Sequence, residues 1–277
     1  MNILENRGIP FIKMHGLGND FVVIDARTKN INVSKNLAQK ISDRHCGVGF
    51  DQLAIIKSST NDIHLSFFNQ DGSISATCGN ATRCIARYLM DETGKDQIML
   101  KSDYGSLEAR DIGNRLTSVN MGTPEIHWSK IPLINDVDTK NLPIDGTPTA
   151  TGLGNPHCSF FVSNTDNVPL EEFGKFYETH PLFPERTNVQ VAQIIDKENI
   201  RVRVWERGVG ITSASASSAG AVTIAAVRRG LCDRRVHVTL DGGVLSVEWS
   251  ENGVWVTGPT MEVFHGTLTP EFLEPSL

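Results

Sequence analysis

No stretch of this chain approaches the roughly 18 consecutive apolar residues that a membrane-spanning helix requires. Residues 1–7 are polar where a secretory leader would carry its apolar centre. These two absences point to a cytoplasmic protein. Basic charge is also short: 26 Lys and Arg stand against 32 Asp and Glu, a net charge of -6, which gives neither nucleic acid nor an anionic membrane surface a footprint. The partner that remains is a small molecule. Cysteine is sparse and odd in number, five in all without a regular framework, so reduced thiols are expected rather than disulfides. Cys78 and Cys84 are too far apart for a C-x-x-C clamp, and no His/Cys group has zinc spacing. Nor is there a complete dinucleotide fingerprint, since Gly16-Leu17-Gly18 lacks the third glycine and the following helix.

What is present is a globular composition. With 277 residues, 39% apolar and 21% charged, the chain is long enough for one large domain or two smaller ones, and two is the preferred reading. The segment that organises the rest is Phe68-Asn69-Gln70-Asp71-Gly72-Ser73, which runs through Thr77 into Cys78-Gly79-Asn80-Ala81-Thr82-Arg83-Cys84 and the apolar run 85–90. Ile63, Leu65 and Phe67 alternate as in a strand, Asp71-Gly72 is turn chemistry, and 85–90 reads as helix. Cys78 then stands at or just before a helix N-terminus. Unpaired N–H groups and the dipole there favour an anion, lower a thiol pKa from about 8.5, and also suit a carboxylate. The plainer alternative is that Cys78 is a buried small hydrophobe.

The chain carries this pattern twice. Gly152-Leu153-Gly154-Asn155 repeats Gly16-Leu17-Gly18-Asn19 at an offset of 136, each followed by an apolar strand. A helix is expected over 34–43 and a strand over 53–56; residues 188–195 and a strand over 200–205 answer 47–56 and 63–68. Glu206-Arg207-Gly208 answers Gln70-Asp71-Gly72. Ser215 answers Cys78 at an offset of 137, ahead of a helix over 221–229 stopped by Gly230. Four features in one order predict two similar mixed α/β halves from an internal duplication, each with an internal helix, facing each other across a cleft that holds the active site. Asn19, Asn69, Asn155, Asn188, Glu206 and Arg207 would come from equivalent loops. Residues 135–147 read as a surface loop and 180–186 as another loop on the approach to Asn188, and strands over 236–240, 244–249 and 254–257 close the second half. The expected halves are 1–118 with 265–277, and 119–264. Cys46, Cys84, Cys158 and Cys232 read as packing residues.

At this point several motifs in order carry a resemblance: residues 13–21, 47–52, Asn69 to Gly72 with Cys78-Gly79-Asn80-Ala81-Thr82-Arg83-Cys84, Asn155-Pro156-His157, Arg186-Thr187-Asn188-Val189 and Glu206-Arg207-Gly208-Val209-Gly210. Over nearly its whole length the chain resembles the diaminopimelate epimerase family. The resemblance implies a pair of related α/β domains, each a mixed sheet wrapped around a central helix. It also implies a homodimer, no pyridoxal cofactor and no metal. The implied reaction converts LL- to meso-diaminopimelate, a lysine and peptidoglycan precursor. Inversion needs an acid/base group on each face of the carbon, one thiolate and one thiol. By resemblance Cys78 is one of them, and Glu206 and His157 support the chemistry. Gly79, Asn80, Ala216 and Ser217 hold the reacting carboxylate. Asn69, Asn155, Asn188, Glu206 and Arg207 hold the distal end, with Asn19 and Gln52 completing the set.

The chain departs from the family at one place. Where the family has Ala-Cys-Gly, this sequence reads Ala214-Ser215-Ala216, so the second base is a serine. A hydroxyl is a far poorer acid and base than a thiol near neutral pH. Ala216 fits a close backbone approach only with negative φ. Three readings stay open: an epimerase impaired at Ser215, a one-base relative performing exchange or elimination on another amino acid, and a non-catalytic diaminopimelate-binding protein.

Overall fold

The computed structural model describes residues 8–29, 31–59, 62–75, 78–103 and 105–274. Residues 1–7, Thr77 and the tail residues 275–277, on which parts of the sequence reading fall, lie outside the described residues. The elements begin with β1 (Ile9–Gly16), β2 (Asn19–Asp25), α1 (Lys35–Ser42), β3 (Gln52–Ser59), β4 (Asp62–Asn69) and β5 (Ile74–Ser75). Next come α2 (Gly79–Thr93), β6 (Gln97–Ser102), β7 (Gly105–Gly113), β8 (Leu116–Asn120), β9 (Thr149–Gly152), β10 (Pro156–Phe161) and α3 (Leu170–Glu178). The chain ends with β11 (Asn188–Ile194), β12 (Asn199–Glu206), β13 (Gly210–Thr212), α4 (Ala216–Arg228), β14 (Arg235–Leu240), β15 (Gly243–Ser250), β16 (Gly253–Pro259), β17 (Met261–Leu268) and α5 (Pro270–Leu273).

These elements form two units, Met1–Gly16 with Asp20–Thr117 and Pro259–Leu277, and Leu17–Asn19 with Ser118–Gly258. In the first, β2 pairs parallel with β3, β3 antiparallel with β4, β4 parallel with β6, and β6 antiparallel with β7. The second repeats that order: β10 parallel with β11, β11 antiparallel with β12, β12 parallel with β14, β14 antiparallel with β15. Even the register repeats. Phe21 faces Gln52 in one unit and His157 faces Asn188 in the other, each pair related by the same offset of 136.

Each unit is built on a helix withdrawn from water on nearly every side. In α4 the run Ala221-Val222-Thr223-Ile224-Ala225-Ala226 is buried throughout, among them Val222 and Ile224 packing with Val202, Val238, Val247 and Val256. A helix apolar all round belongs inside a sheet rather than on one. The shorter α1 is a surface helix instead, capped by Ser34, whose Oγ accepts the Leu37 N–H at 3.2 Å, and burying only Ala38 and Ile41.

Two expectations change here. Residues 135–147 lack regular structure, yet Leu142 is fully buried with Ala150, Cys158 and Phe160. That burial is tolerable because the backbone is paired: Ala150 N–H donates to Thr139 O and Leu142 N–H to Pro148 O, both at 2.8 Å. Leu182 and Phe183, from the expected loop over 180–186, join the same core. The chain returns to the first unit at Pro259, earlier than 265, because β17 pairs with β1 from Met261 opposite His15 to Leu268 opposite Ile9.

Candidate active site

In the first unit the site residues gather around the start of α2. Cys78 is its N-cap, partly exposed, with its Sγ accepting the Ala81 N–H at 3.4 Å. Gly79 and Asn80 follow as buried helical residues. Gln52 and Asn69 are register partners on β3 and β4, and their side chains meet: Gln52 Nε2 donates to Asn69 Oδ1 and to Ser75 Oγ, both at 3.1 Å. Asn69 Nδ2 in turn donates to Ser73 Oγ at 3.0 Å, which fixes the turn that leads back toward Cys78. Below this, Lys13 and Arg44 converge on Asp20 at 2.5 and 2.8 Å, and Arg44 also reaches Asp51 at 2.9 Å. Burial pushes the Asp20 carboxyl up, but the Arg44 and Lys13 hydrogen bonds outweigh it and hold the pKa at about 2.

The second unit carries the counterpart. Ser215 is the N-cap of α4, its Oγ accepting the Ser218 N–H at 3.4 Å and lying 3.4 Å from Ser217 Oγ. Ala216 is the first helical residue, and it is not among the residues with positive φ, so the replacement of glycine costs no backbone strain. Behind the cap runs a buried polar chain. Gln190 Nε2 donates to Ser218 Oγ at 3.1 Å and to His157 Nδ1 at 2.9 Å, while its Oε1 accepts from Ser159 Oγ at 3.1 Å. With Nδ1 accepting, the imidazole proton resides on Nε2, which faces Asn155 Oδ1 at 2.7 Å. His157 is fully buried, and burial followed by the charge of Arg207 pulls its pKa down to about 3. It is therefore a neutral ring that fixes which way the Asn155 amide points. Asn155 itself is half-buried.

The third group sits where β12 ends. Glu206 accepts the Thr212 hydroxyl at 2.6 Å. The Arg207 N–H donates to Asn188 Oδ1 at 3.0 Å, and Asn188 Nδ2 donates to Pro156 O at 2.9 Å. Asn188 thus ties the Glu206-Arg207 turn to the start of β10. Arg207 Nη1 donates to Glu185 O at 2.9 Å. Asn19 belongs to the second unit, on the Leu17–Asn19 loop beside Ser213. Each unit therefore assembles its own share of the set.

The sequence reading did not single out Gln190, Ser159, Ser218 or Arg83. The signal was there in β10 and β11: His157, Ser159, Asn188 and Gln190 are polar at alternate positions of otherwise apolar, buried strands. Among the described residues no group of His, Cys, Asp and Glu is arranged to hold a metal ion.

Matching helix caps on duplicated α/β units can be compared with known proteins. The family model described as diaminopimelate epimerase matches residues 11–127 and 149–263. The diaminopimelate epimerase of Rhodospirillum centenum is 42% identical over 275 residues, covering 96% of this chain and 94% of the relative. That of Phenylobacterium zucineum is 43% identical over 271 residues, covering 94% and 98%. Among solved structures, a probable proline racemase from Agrobacterium radiobacter superposes with a TM-score of 0.70 at 14% identity, covering 96% of this chain and 94% of that one, a likeness of fold. On the strength of the near full-length match in sequence, joined to the repeated fold, the chain belongs to the diaminopimelate epimerase family.

Proposed function

We propose that this protein is an isomerase that interconverts LL- and meso-diaminopimelate by proton transfer at the α-carbon, without pyridoxal phosphate. The observation that carries the reading, beside family membership, is the pair of equivalent helix N-termini capped by Cys78 and Ser215. Cys78 as thiolate removes the α-proton: the C–H bond breaks and the S–H bond forms. Ser215, or water reached through it, delivers a proton to the opposite face. No cofactor drains the carbanion, so N–H groups at Gly79, Asn80, Ala216 and Ser217 stabilise the charge growing on the carboxylate. The guanidinium of Arg207 suits a second carboxylate, and Asn69, Asn155, Asn188 and Glu206 suit the distal amino-acid end. His157 orients Asn155, and Asn19 and Gln52 complete the binding set.

Proton NMR of the protein with LL-diaminopimelate in D₂O, followed by chiral separation, tests this. Deuterium at the α-carbon with meso product supports the reading; neither, at high enzyme concentration and in a Ser215→Cys variant as well, ends it. Ser215 favours a second reading, a one-base enzyme that exchanges the α-proton without inversion. Deuterium in recovered LL substrate without meso product would select that one.

The protein is further proposed to be cytoplasmic and a homodimer. Among the described residues no helix is long and apolar enough to cross a membrane. Met261, Val263 and Phe264 lie about half exposed on β17, an apolar strip that a second copy would cover. Light scattering of a Phe264→Arg variant tests the dimer, which this change should dissociate.

A further inference from the structure

Among the fully buried side chains of the described residues, Arg83 is the largest. Its Nη1 donates to Asn80 Oδ1 at 3.0 Å, but Nε and Nη2 have no hydrogen-bond acceptor among the described residues. The guanidinium lies against β1, where a Cβ added to Gly16 would come within 2.7 Å of Nη2 and displace it. Burying a cation without a carboxylate partner is among the most costly arrangements a fold can hold, and arginine does not escape it by losing a proton. A counter-charge is required.

The charges that Arg83 faces on its own helix are the two thiols, Cys84 and Cys78. Cys84 does not serve, since burial pushes its thiol up to about 12. Cys78 is partly exposed, heads the helix, and receives the Ala81 N–H. The strands packed around α2 offer no substitute among the described residues: β1 brings His15, next to Gly16, and Lys13, paired with Asp20; β6 brings Lys101, paired with Asp62; β7 brings Glu108, paired with Arg110, and Asp111, paired with Arg87; and β17 brings a Met261 backbone contact to Cys84 and Glu262, which is engaged with His265 at 2.7 Å. The second helix lacks the device. At the offset of 137 that relates Cys78 to Ser215, the place of Arg83 is taken by Gly220.

We propose that Arg83 is a positioning residue for Cys78: a guanidinium locked beneath the first turn of α2 as the internal counter-charge of the Cys78 thiolate. Ionisation breaks the S–H bond, the proton leaves to solvent, and the electron pair stays on a sulfur facing a fixed cation. Cys78 is thereby the resting base of the pair, and the group at 215 the resting acid. This last step rests on the proposed epimerase reading; the ionisation itself does not, and is measured without substrate.

The experiment follows the rate of iodoacetamide alkylation of Cys78 against pH, by peptide mass, in a Cys46→Ser background that removes the exposed competitor. The midpoint should rise by about one pH unit or more in Arg83→Met, a tenfold loss of thiolate below the midpoint. Arg83→Lys, which keeps the charge on a narrower head, should recover part of that shift. An unmoved midpoint in folded Arg83→Met overturns the proposal. Should Arg83→Met fail to fold, the unmodified protein is compared with Cys78→Ser by thermal melting across pH. A thiolate held by Arg83 stabilises the fold above the unfolded thiol pKa of about 8.5 and loses that advantage as pH falls through the lower folded value. A pH-independent difference between the two overturns the proposal equally. A shifted alkylation profile without turnover leaves Arg83 assigned and removes only the epimerase reading; turnover with an unshifted profile does the reverse.

Discussion

Trp205 donates its indole N–H to Glu178 Oε2 at 2.6 Å, and the other oxygen of the same buried carboxylate accepts the Gly208 N–H at 3.0 Å. One acidic side chain at the end of α3 therefore holds both sides of the Glu206-Arg207 turn. Glu178→Ala strands the buried Trp205 indole N–H and leaves the exposed Gly208 N–H to water, and should cost roughly 1–3 kcal/mol in urea unfolding. Glu178→Gln, which keeps one good acceptor, should cost less than half as much. If both variants unfold like the unmodified protein, the turn is held by other contacts.

Ser215→Cys places a thiol on a cap that Cys78 already shows a cysteine can make at the same 3.4 Å. Positioned acid/base groups contribute about 10²–10⁴-fold. Inversion of LL-diaminopimelate should accordingly rise at least about 10²-fold, with an unchanged melting profile. A rate that stays level would mean that proton delivery to the second face does not limit turnover. Cys78→Ala should abolish α-proton exchange in both backgrounds.

His157 should remain neutral throughout the physiological range. Its imidazole resonances, followed by NMR between pH 5 and 8, should not titrate, and the nitrogen shifts should report a proton on Nε2. Because the folded pKa, about 3, lies below the unfolded value near 6.5, the unfolded chain binds the proton first. Stability contributed here is fully present above about 6.5 and drains away between there and 3. A His157 that titrates near 6.5 would break the assigned polar chain.

A second acid limb comes from Asp20. Its folded pKa of about 2 lies below the unfolded value near 3.9, so its contribution is present above 3.9 and is lost as pH falls toward 2. Denaturant unfolding from pH 5 to pH 2 should show a shallower loss in Asp20→Asn than in the parent. Equal slopes would mean that Lys13 and Arg44 find other partners.

Much of this was legible in the residues. The repeat located both central helices and both caps, because a helix start announces itself locally through its cap and first-turn residues. The apolar alternation of β3, β4, β12 and β15 was equally plain. Other parts are written in tertiary contacts. The helix α3 begins at Pro169 without a side-chain cap and carries Gly174 in its middle, where a Cβ would lie 2.3 Å from Trp205. Local propensity argues against that helix, and packing overrides it. The burial of Leu142 depends on α4: Arg228, near its end, donates to Ala150 O at 3.0 Å and Thr139 Oγ1 at 2.8 Å, holding the irregular segment down. Arg83 reads as an ordinary helical arginine until the structure shows it fully buried, with Asn80 accepting from Nη1 and no acceptor among the described residues for Nε and Nη2.

The pairing of β17 with β1 sets an order of assembly on the ribosome. Apart from Leu17–Asn19, the second unit is one continuous piece, Ser118–Gly258, complete before β17 is made. The first unit emerges earlier, and β1 pairs with β2, but it lacks its second strand partner until Met261–Leu268 arrives. The usual N-terminal-first sequence is therefore inverted for closure. Until then β1 presents an unpaired edge to the cell, a template for foreign strands that makes nascent chains stalled near Gly258 the aggregation-prone species of this protein.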